Sequence, residues 1–215
     1  LVRHLVLDRT LSQVKLSPER QDELVHDFRQ LQKLESEEAF ADFLQKNHIT
    51  ELLLRQTLSR PHRVVQFREE RWGTRANSLY LKHKDRYDRI HYRRLQSGNA
   101  DVMQEVFFRL KDKEDNWETM ARQFPGAPAN ADARQKGIPA AQIEAPLLAE
   151  LRKAGPGVVI RPLRLNGNTV VVAELESIEA SRFDDELRTL ILREEFDNWL
   201  QKECSRMLSK LQLPA

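Results

Sequence analysis

The chain has few of the residues that cross-link a protein, anchor it in a membrane or give it a strong charge of one sign. Its 215 residues include one cysteine, Cys204, so no disulfide can form within the chain. No apolar run reaches the length of about eighteen residues that a membrane-spanning helix requires, which predicts no membrane span. Lys and Arg number 35 against 33 Asp and Glu. This near balance argues against a nucleic-acid partner.

Motifs of the common enzyme chemistries are also missing. The chain has 7 glycines, and none of them forms a phosphate-binding loop or a nucleophile elbow. The 6 histidines are scattered, without the spacing of metal ligands. We therefore predict neither a metal nor any other cofactor.

Helical signals fill residues 1–87, the predicted first domain. Ser17-Pro18-Glu19 has the pattern of a helix start, and Ser36 and Thr50 are hydroxyl N-caps of two further helices. Ser59-Arg60-Pro61 is expected to end the last of these, because the residue before proline avoids the helical region. A longer amphipathic helix is then predicted over about 64–84, with Gly73 inside it.

The pattern changes in the predicted second domain, residues 88–180. A short strand is predicted over 89–95, with Ile90, Tyr92 and Arg94 as candidates for one side. Asn99 and Asn116 are predicted to cap two helices, and the stretch 125–142, rich in Pro, Gly and Ala, to form a loop. The further predicted elements are a short helix over 146–151 and two strands, 158–165 and 169–175, around the hairpin signal Asn166-Gly167.

The last predicted segment, residues 181–215, is one helix with a strongly apolar face. An isolated helix of this kind is marginal in water, so the face requires a partner. The N-terminal helices are the expected partner. The fold class predicted here is α+β, with a mostly helical domain completed by the C-terminal helix and a small antiparallel sheet inserted into it.

Several connected pieces resemble the parvulin type of peptidyl-prolyl cis-trans isomerase. The run Trp117-Glu-Thr-Met-Ala121-Arg-Gln-Phe124 is similar to that family's second helix. Pro146-Leu-Leu-Ala-Glu-Leu151, followed by Gly157 and Pro162, is similar to the next helix and turn. Residues 1–87 with 181–215, including the stretch from Phe67 to Gly73, resemble the helical chaperone part of SurA-like foldases.

The resemblance implies positions for a client groove. The groove methionine of the family corresponds to Ile143 and the groove phenylalanine to Leu147, and Leu151, Met120 and Ala127 complete the expected substrate-binding set. The polar half of the family's site differs here. Its Cys or Asp position falls near Ala127, its last-strand histidine at Thr169 and its first-strand histidine near Arg94.

Two residues are the candidates for a catalytic role under this resemblance. Thr169 stands at the last-strand histidine position, and His91 could replace the first-strand histidine through a shift of three residues. The implied function is a peptidyl-prolyl isomerase-like foldase or chaperone that acts on unfolded or extended polypeptide clients containing proline. The alternative is a catalytically weak or inactive parvulin-fold protein that only holds peptides.

A third hypothesis, a nucleic-acid binder built on the basic stretch 82–94, has less support because the net charge is near zero. The charged N-terminal residues lack a signal-peptide profile and favour a cytoplasmic location. A periplasmic or exported location is the alternative if a leader has been removed.

Overall fold

The computed structural model describes residues 2–124 and 133–211, and the chain divides into two compact units. The first, here called the helical unit, comprises Leu1–Tyr80 and Asp184–Ala215. The second, the sheet unit, comprises Leu81–Phe183. Each is described by itself below. None of the described helices combines the length and the apolar character needed to cross a membrane.

The helical unit is built from helices whose starts are fixed by local hydrogen bonds. The side chains of Ser17, Ser36 and Thr50 each accept a hydrogen bond from the backbone amide three residues on, as predicted for N-caps. The helices are α1 (Val2–Leu11), α2 (Pro18–Leu31), α3 (Glu37–Lys46), α4 (Glu51–Trp72), α5 (Ala76–Lys82), whose last two residues belong to the sheet unit, and α9 (Asp185–Leu211).

The C-terminal helix α9 completes the core of this unit, as the predicted fold class requires. It packs against α1 and α4. Its buried residues Leu192, Phe196 and Leu200 join Val6 and Trp72 in one hydrophobic cluster. The apolar face that could not be stable alone is therefore covered by N-terminal helices.

The predicted end of a helix at residues 59–61 is wrong. Helix α4 continues through Pro61, which lies inside it. An internal proline removes one helical hydrogen bond at a cost of about 3 kcal/mol. Burial of Leu54 and Trp72 on the two sides of Pro61 favours one continuous helix and offsets that cost.

The single helix predicted over 64–84 is also wrong, since a 3₁₀ turn at Gly73–Arg75 separates α4 from α5. A Cβ atom at Gly73 would lie 2.5 Å from Glu69 Oε2 and 3.2 Å from Arg188 Nη2. Both oxygens of Glu69 are held by Arg188, at 2.5 and 2.6 Å. Glycine thus leaves the space that this ion pair occupies.

The sheet unit has a four-stranded antiparallel sheet with the order β2-β1-β4-β3. Asn99 and Asn116 cap its first two helices as predicted. Together with the helices, the sheet confirms the α+β class. The elements are β1 (Arg89–Ser97), α6 (Ala100–Lys111), α7 (Trp117–Gln123), β2 (Arg134–Pro139), α8 (Ala145–Ala154), β3 (Leu163–Arg164) and β4 (Val170–Glu179).

Strand β2 occupies part of the predicted loop over 125–142, so the loop prediction is wrong for its second half. Residues 125–132 lie outside the described residues. The segment has Gly137 and Pro139 and no alternation of apolar and polar residues, so it carries no strand signal. Pairing with β1, for example Ile138 opposite Ile90, supplies the hydrogen bonds that make it a strand.

Helices cover both faces of the sheet. Helix α8 packs on one face, where Leu147 and Leu151 meet Tyr92 and Val171. Helices α6 and α7 pack on the other, where Leu95 lies with residues of both helices. A bulge between His91 and Tyr92 shifts the pairing of β1 with β4 along the strand.

Candidate functional site

A small polar cleft lies on one face of strand β1 in the sheet unit. Tyr92, Arg94 and Gln96 alternate along β1 and therefore share this face, and Gln135 of β2 lines the cleft beside them. Its volume is about 260 Å³. Tyr92 and Arg94, two of the residues that the sequence assigned to one side of β1, thus meet at the polar cleft, whereas the third, Ile90, lies in the core.

Arg94 is the central residue of the polar cleft. Its Nη1 donates to Glu144 Oε2 at 3.1 Å, and its Nη2 lies 3.0 Å from Glu144 Oε1. Nη2 also donates to Gln96 Oε1 at 2.6 Å. Only 16% of the Arg94 side chain is exposed. Its guanidinium is therefore fixed in place, and its charge is balanced by a carboxylate.

The protonation states of the cleft follow from these contacts. Burial raises the pKa of Glu144, but a hydrogen bond from its own backbone amide and the contact with Arg94 outweigh burial, so the pKa is lowered. Burial raises the pKa of Tyr92, and the hydrogen bond with Arg94 opposes this only in part. At neutral pH, Glu144 is ionised and the Tyr92 hydroxyl keeps its proton, so neither provides a base poised near pH 7.

The predicted substrate-binding residues lie beneath the surface. Ile143, Leu147 and Leu151 belong to the core between α8 and the sheet, and the last two have no exposed area. Met120 is equally buried, but on the opposite face of the sheet. Ala127 lies outside the described residues. In this conformation, contact between a client and Leu147 would require α8 to move, and the substrate-binding roles stay predictions.

The two predicted catalytic residues lie near opposite ends of the sheet. His91 pairs with Ser177 in β4, and its Nε2 lies 3.7 Å from Glu179 Oε2. Thr169 directly precedes β4. The positions 169 and 177 are eight steps apart along the chain, which is roughly 26 Å at the usual rise per residue of a strand. The two residues do not share a site, neither lines the polar cleft, and their catalytic roles stay predictions.

Two residues that line the cleft, and the carboxylate that pairs with Arg94, were not predicted from the sequence. Gln96 carries a usable signal, because it follows Arg94 by two positions, although the predicted strand ended at residue 95 and β1 continues to Ser97. Gln135 belongs to β2, which the sequence did not indicate. Glu144 is the N-cap residue of α8, and its contact with Arg94 spans fifty positions of sequence. Across residues 2–124 and 133–211, no group of three or more His, Cys, Asp or Glu is arranged to hold a metal ion.

Comparisons with known proteins place this geometry in a known fold. No protein-family model matches the chain, and no curated protein is significantly similar to it in sequence. The peptidylprolyl isomerase PrsA from Bacillus anthracis is similar in structure, with 14% identity and a TM-score of 0.58 over 99% of this chain and 97% of that one. PrsA from Bacillus cereus has 11% identity and a TM-score of 0.58, over 99% and 82% of the two chains.

The foldase protein PrsA from Streptococcus pneumoniae is a third similar structure, with 11% identity, a TM-score of 0.53 and coverage of 99% of this chain and 85% of that one. At these identities the similarity shows the fold. The chain therefore has the fold of PrsA peptidylprolyl isomerases over nearly its whole length, which confirms the architecture expected from the resemblance.

Proposed function

We propose that the protein is a foldase-type chaperone that binds extended polypeptide clients and acts, peptidyl-prolyl isomerase-like, at their X–Pro segments. The supporting observation is the PrsA fold over 99% of the chain, together with a polar cleft at Arg94. The resemblance to parvulins puts the first-strand histidine of that family at this position. The choice between a cytoplasmic and an exported location stays a prediction.

Isomerisation makes modest chemical demands. The barrier to rotation about the peptide bond is about 18–20 kcal/mol and arises from amide resonance. A catalyst lowers it by binding the twisted amide better than the planar one, and no cofactor is required. The polar cleft offers hydrogen-bond donors for a carbonyl oxygen, from Tyr92 and Gln135.

The second candidate function is a peptide-holding chaperone with little or no turnover. The observation that favours it is the saturation of Arg94 by Glu144 and Gln96. A donor engaged in a bidentate ion pair has little capacity left for the amide of a client. We therefore expect isomerisation to be slower than in a parvulin with histidines at these positions.

A protease-free proline-isomer assay tests the isomerase function. Peptides with Ile, Leu or Phe before proline should relax faster with micromolar protein than in buffer alone. Arg94→Gln should change this rate, whereas Arg109→Gln, which alters a partly exposed arginine of α6 in the same unit, should not. Absence of acceleration above buffer would exclude the isomerase part of the proposal.

Light scattering of a chemically denatured client diluted into buffer tests the chaperone function. A molar excess of the protein should suppress aggregation of the client, with or without isomerase activity. If the protein shows neither activity, the proposed function is wrong. Activity in this assay alone would select the peptide-holding candidate.

A further inference from the structure

A second and larger groove lies at the β3 edge of the sheet unit, away from the polar cleft. Its volume is about 1340 Å³. Its walls are α6 with the turn that follows it, the last turn of α8, and the segment 157–163 that precedes and enters β3. We call it the edge groove. Both helical layers of the unit therefore border one open edge of the sheet.

The backbone of this edge has free hydrogen-bonding capacity. Gly157 N donates to Leu175 O and Ile160 N to Ala173 O, both at 2.8 Å, so the segment runs along β4. Backbone groups of alternate residues point to opposite sides of a strand, which directs those of Val159 and Arg161 away from β4. Within the part of the chain that the structure describes, neither of their amides donates to another backbone group. An unpaired edge of this kind is a template for an added strand.

The edge groove exposes apolar surface that the core does not use. Phe108 of α6 is 46% exposed and Val158 is 48% exposed, and both line the groove. Pro162 extends the same surface. A groove with large exposed apolar side chains on its walls is typical of an interaction site.

The carboxylates of the groove already have partners within the chain. These contacts are Glu174 Oε2 with Trp117 Nε1 at 2.9 Å, Asp115 with Arg109 at 3.5 Å, and Glu150 with Lys153 at 3.9 Å.

Most cations of the groove, in contrast, have no ion-pair partner. Lys111, Lys113 and Arg161 line it, and no carboxylate of residues 2–124 or 133–211 lies within 4.0 Å of their charged nitrogens. Lys111 Nζ lies 5.8 Å from the centroid of the Phe107 ring, a contact that supplies no counter-charge. Glu174 keeps its negative charge, because the indole N–H of Trp117 is neutral. The groove is therefore lined by one cation more than carboxylates, which gives a small net positive charge beside an apolar wall.

We propose that the edge groove binds an extended client segment in which apolar and acidic side chains alternate, and that this segment pairs as a strand with residues 157–161. Its backbone would meet the outward groups of Val159 and Arg161, as in other cases of strand addition. Its acidic side chains would face Lys111, Lys113 and Arg161. Pro162, which has no amide hydrogen, limits the pairing to the residues before it. The inference rests on the proposed function only in taking polypeptides as the ligand class.

Fluorescence anisotropy with short labelled peptides tests this inference on the full chain. One peptide alternates valine and glutamate, and the second has lysine in place of each glutamate. The wild type should bind the acidic peptide more tightly. Lys113→Glu combined with Arg161→Glu should weaken that binding by about tenfold and improve binding of the basic peptide. The control, Lys136→Glu with Lys202→Glu, makes the same charge change at exposed residues outside the groove and should leave both affinities unchanged.

A backbone variant tests strand pairing separately from charge. Val159→Pro removes one outward amide, adds no charge and leaves the bond from Ile160 to Ala173 possible. Weaker binding of the acidic peptide supports strand addition, whereas unchanged binding refutes it. Equal affinity of the charge-reversed variant and the wild type for the acidic peptide would refute the electrostatic part.

Sedimentation velocity tests the competing occupant, a second copy of this chain. A concentration-dependent dimer that Val159→Pro abolishes would overturn the client proposal. Aggregation suppression and proline-isomer assays on the same variants distinguish failure of the edge-groove proposal from failure of the proposed function. If both groove variants keep these activities unchanged, the edge groove is not the client site, while the proposed function stands.

Discussion

The ion pair at the centre of the polar cleft should contribute measurably to the stability of the sheet unit. Arg94→Met keeps the aliphatic stem and removes the charge, and Glu144→Gln keeps the shape and removes the charge. Because Arg94 is 16% exposed and makes two contacts with Glu144, each single variant leaves a partly buried group without its partner. We expect a coupling energy of about 1–2 kcal/mol from the double-mutant cycle.

The matched control is the pair Arg109–Glu105 on α6, in the same unit. Its N–O distance is shorter, 2.7 Å, but its side chains are 37% and 54% exposed. Exposed pairs of this spacing couple by about 0.3–0.5 kcal/mol. A greater coupling in the cleft would therefore be due to burial and bidentate geometry, and not to distance alone.

Native-state hydrogen exchange of the β1 and β4 amides gives the free energy of opening for the sheet unit specifically. The sign of the pH dependence also follows. The pKa of Glu144 is lowered in the folded chain, so its contribution is complete above the pKa of an unfolded glutamate, about 4.3. The contribution is lost as the pH falls through the lowered value. If the cleft pair couples no more strongly than Arg109–Glu105 at pH 7, our account of the cleft is wrong.

Three further predictions concern stability. The first is on the core beneath α8 in the sheet unit, and the other two are on a buried hydroxyl and an ion pair in the helical unit. Leu147→Ala, in the core beneath α8, should destabilise the sheet unit by about 2–5 kcal/mol in the same exchange experiment. Leu31→Ala, at a side chain that is 79% exposed, serves as the control and should change the helical unit by about 0.5 kcal/mol or less. Ser59→Ala should stabilise the helical unit by about 1 kcal/mol in urea unfolding, because the buried Ser59 hydroxyl has no hydrogen-bond partner among the described residues; a loss of stability would contradict this. Hydrogen bonds from Arg188 hold the pKa of Glu69 below its usual value, so this pair stabilises the helical unit above the pKa of an unfolded glutamate and ceases to do so in acid. Glu69→Gln should flatten the acid limb of the stability profile measured by circular dichroism, and an unchanged limb would argue against the pair.

Local signals correctly predicted the starts of the helices that have a side-chain N-cap, whereas α9 begins at Asp185 and not at residue 181. Ser17, Thr50, Asn99 and Asn116 each bond an amide two or three positions away, so the cap and its partner lie in one short window of sequence. The strand over β1 was predicted for the same reason, from side-chain alternation within the strand itself.

The predictions that were wrong concern features that depend on residues far apart in the sequence. Strand β2 exists because β1 lies beside it, and helix α4 continues through Pro61 because both of its halves are buried, Leu54 in one hydrophobic cluster and Trp72 in another. Neither cause can be read from the residues nearby. The same applies to the cleft, where Glu144 reaches Arg94 only after β1 and α8 have packed.

By itself, the sequence determined the α+β class, the order of its main elements and the assignment of Tyr92 and Arg94 to one side of a strand. These follow from caps, turns and periodicity, which are interactions between near neighbours. Only the tertiary structure decided that Leu147 is sealed in a core, that Arg94 is neutralised by Glu144, and that an apolar groove with positive charge opens at the sheet edge. Burial and ion pairing depend on residues far apart in the chain, and the fold alone brings them together.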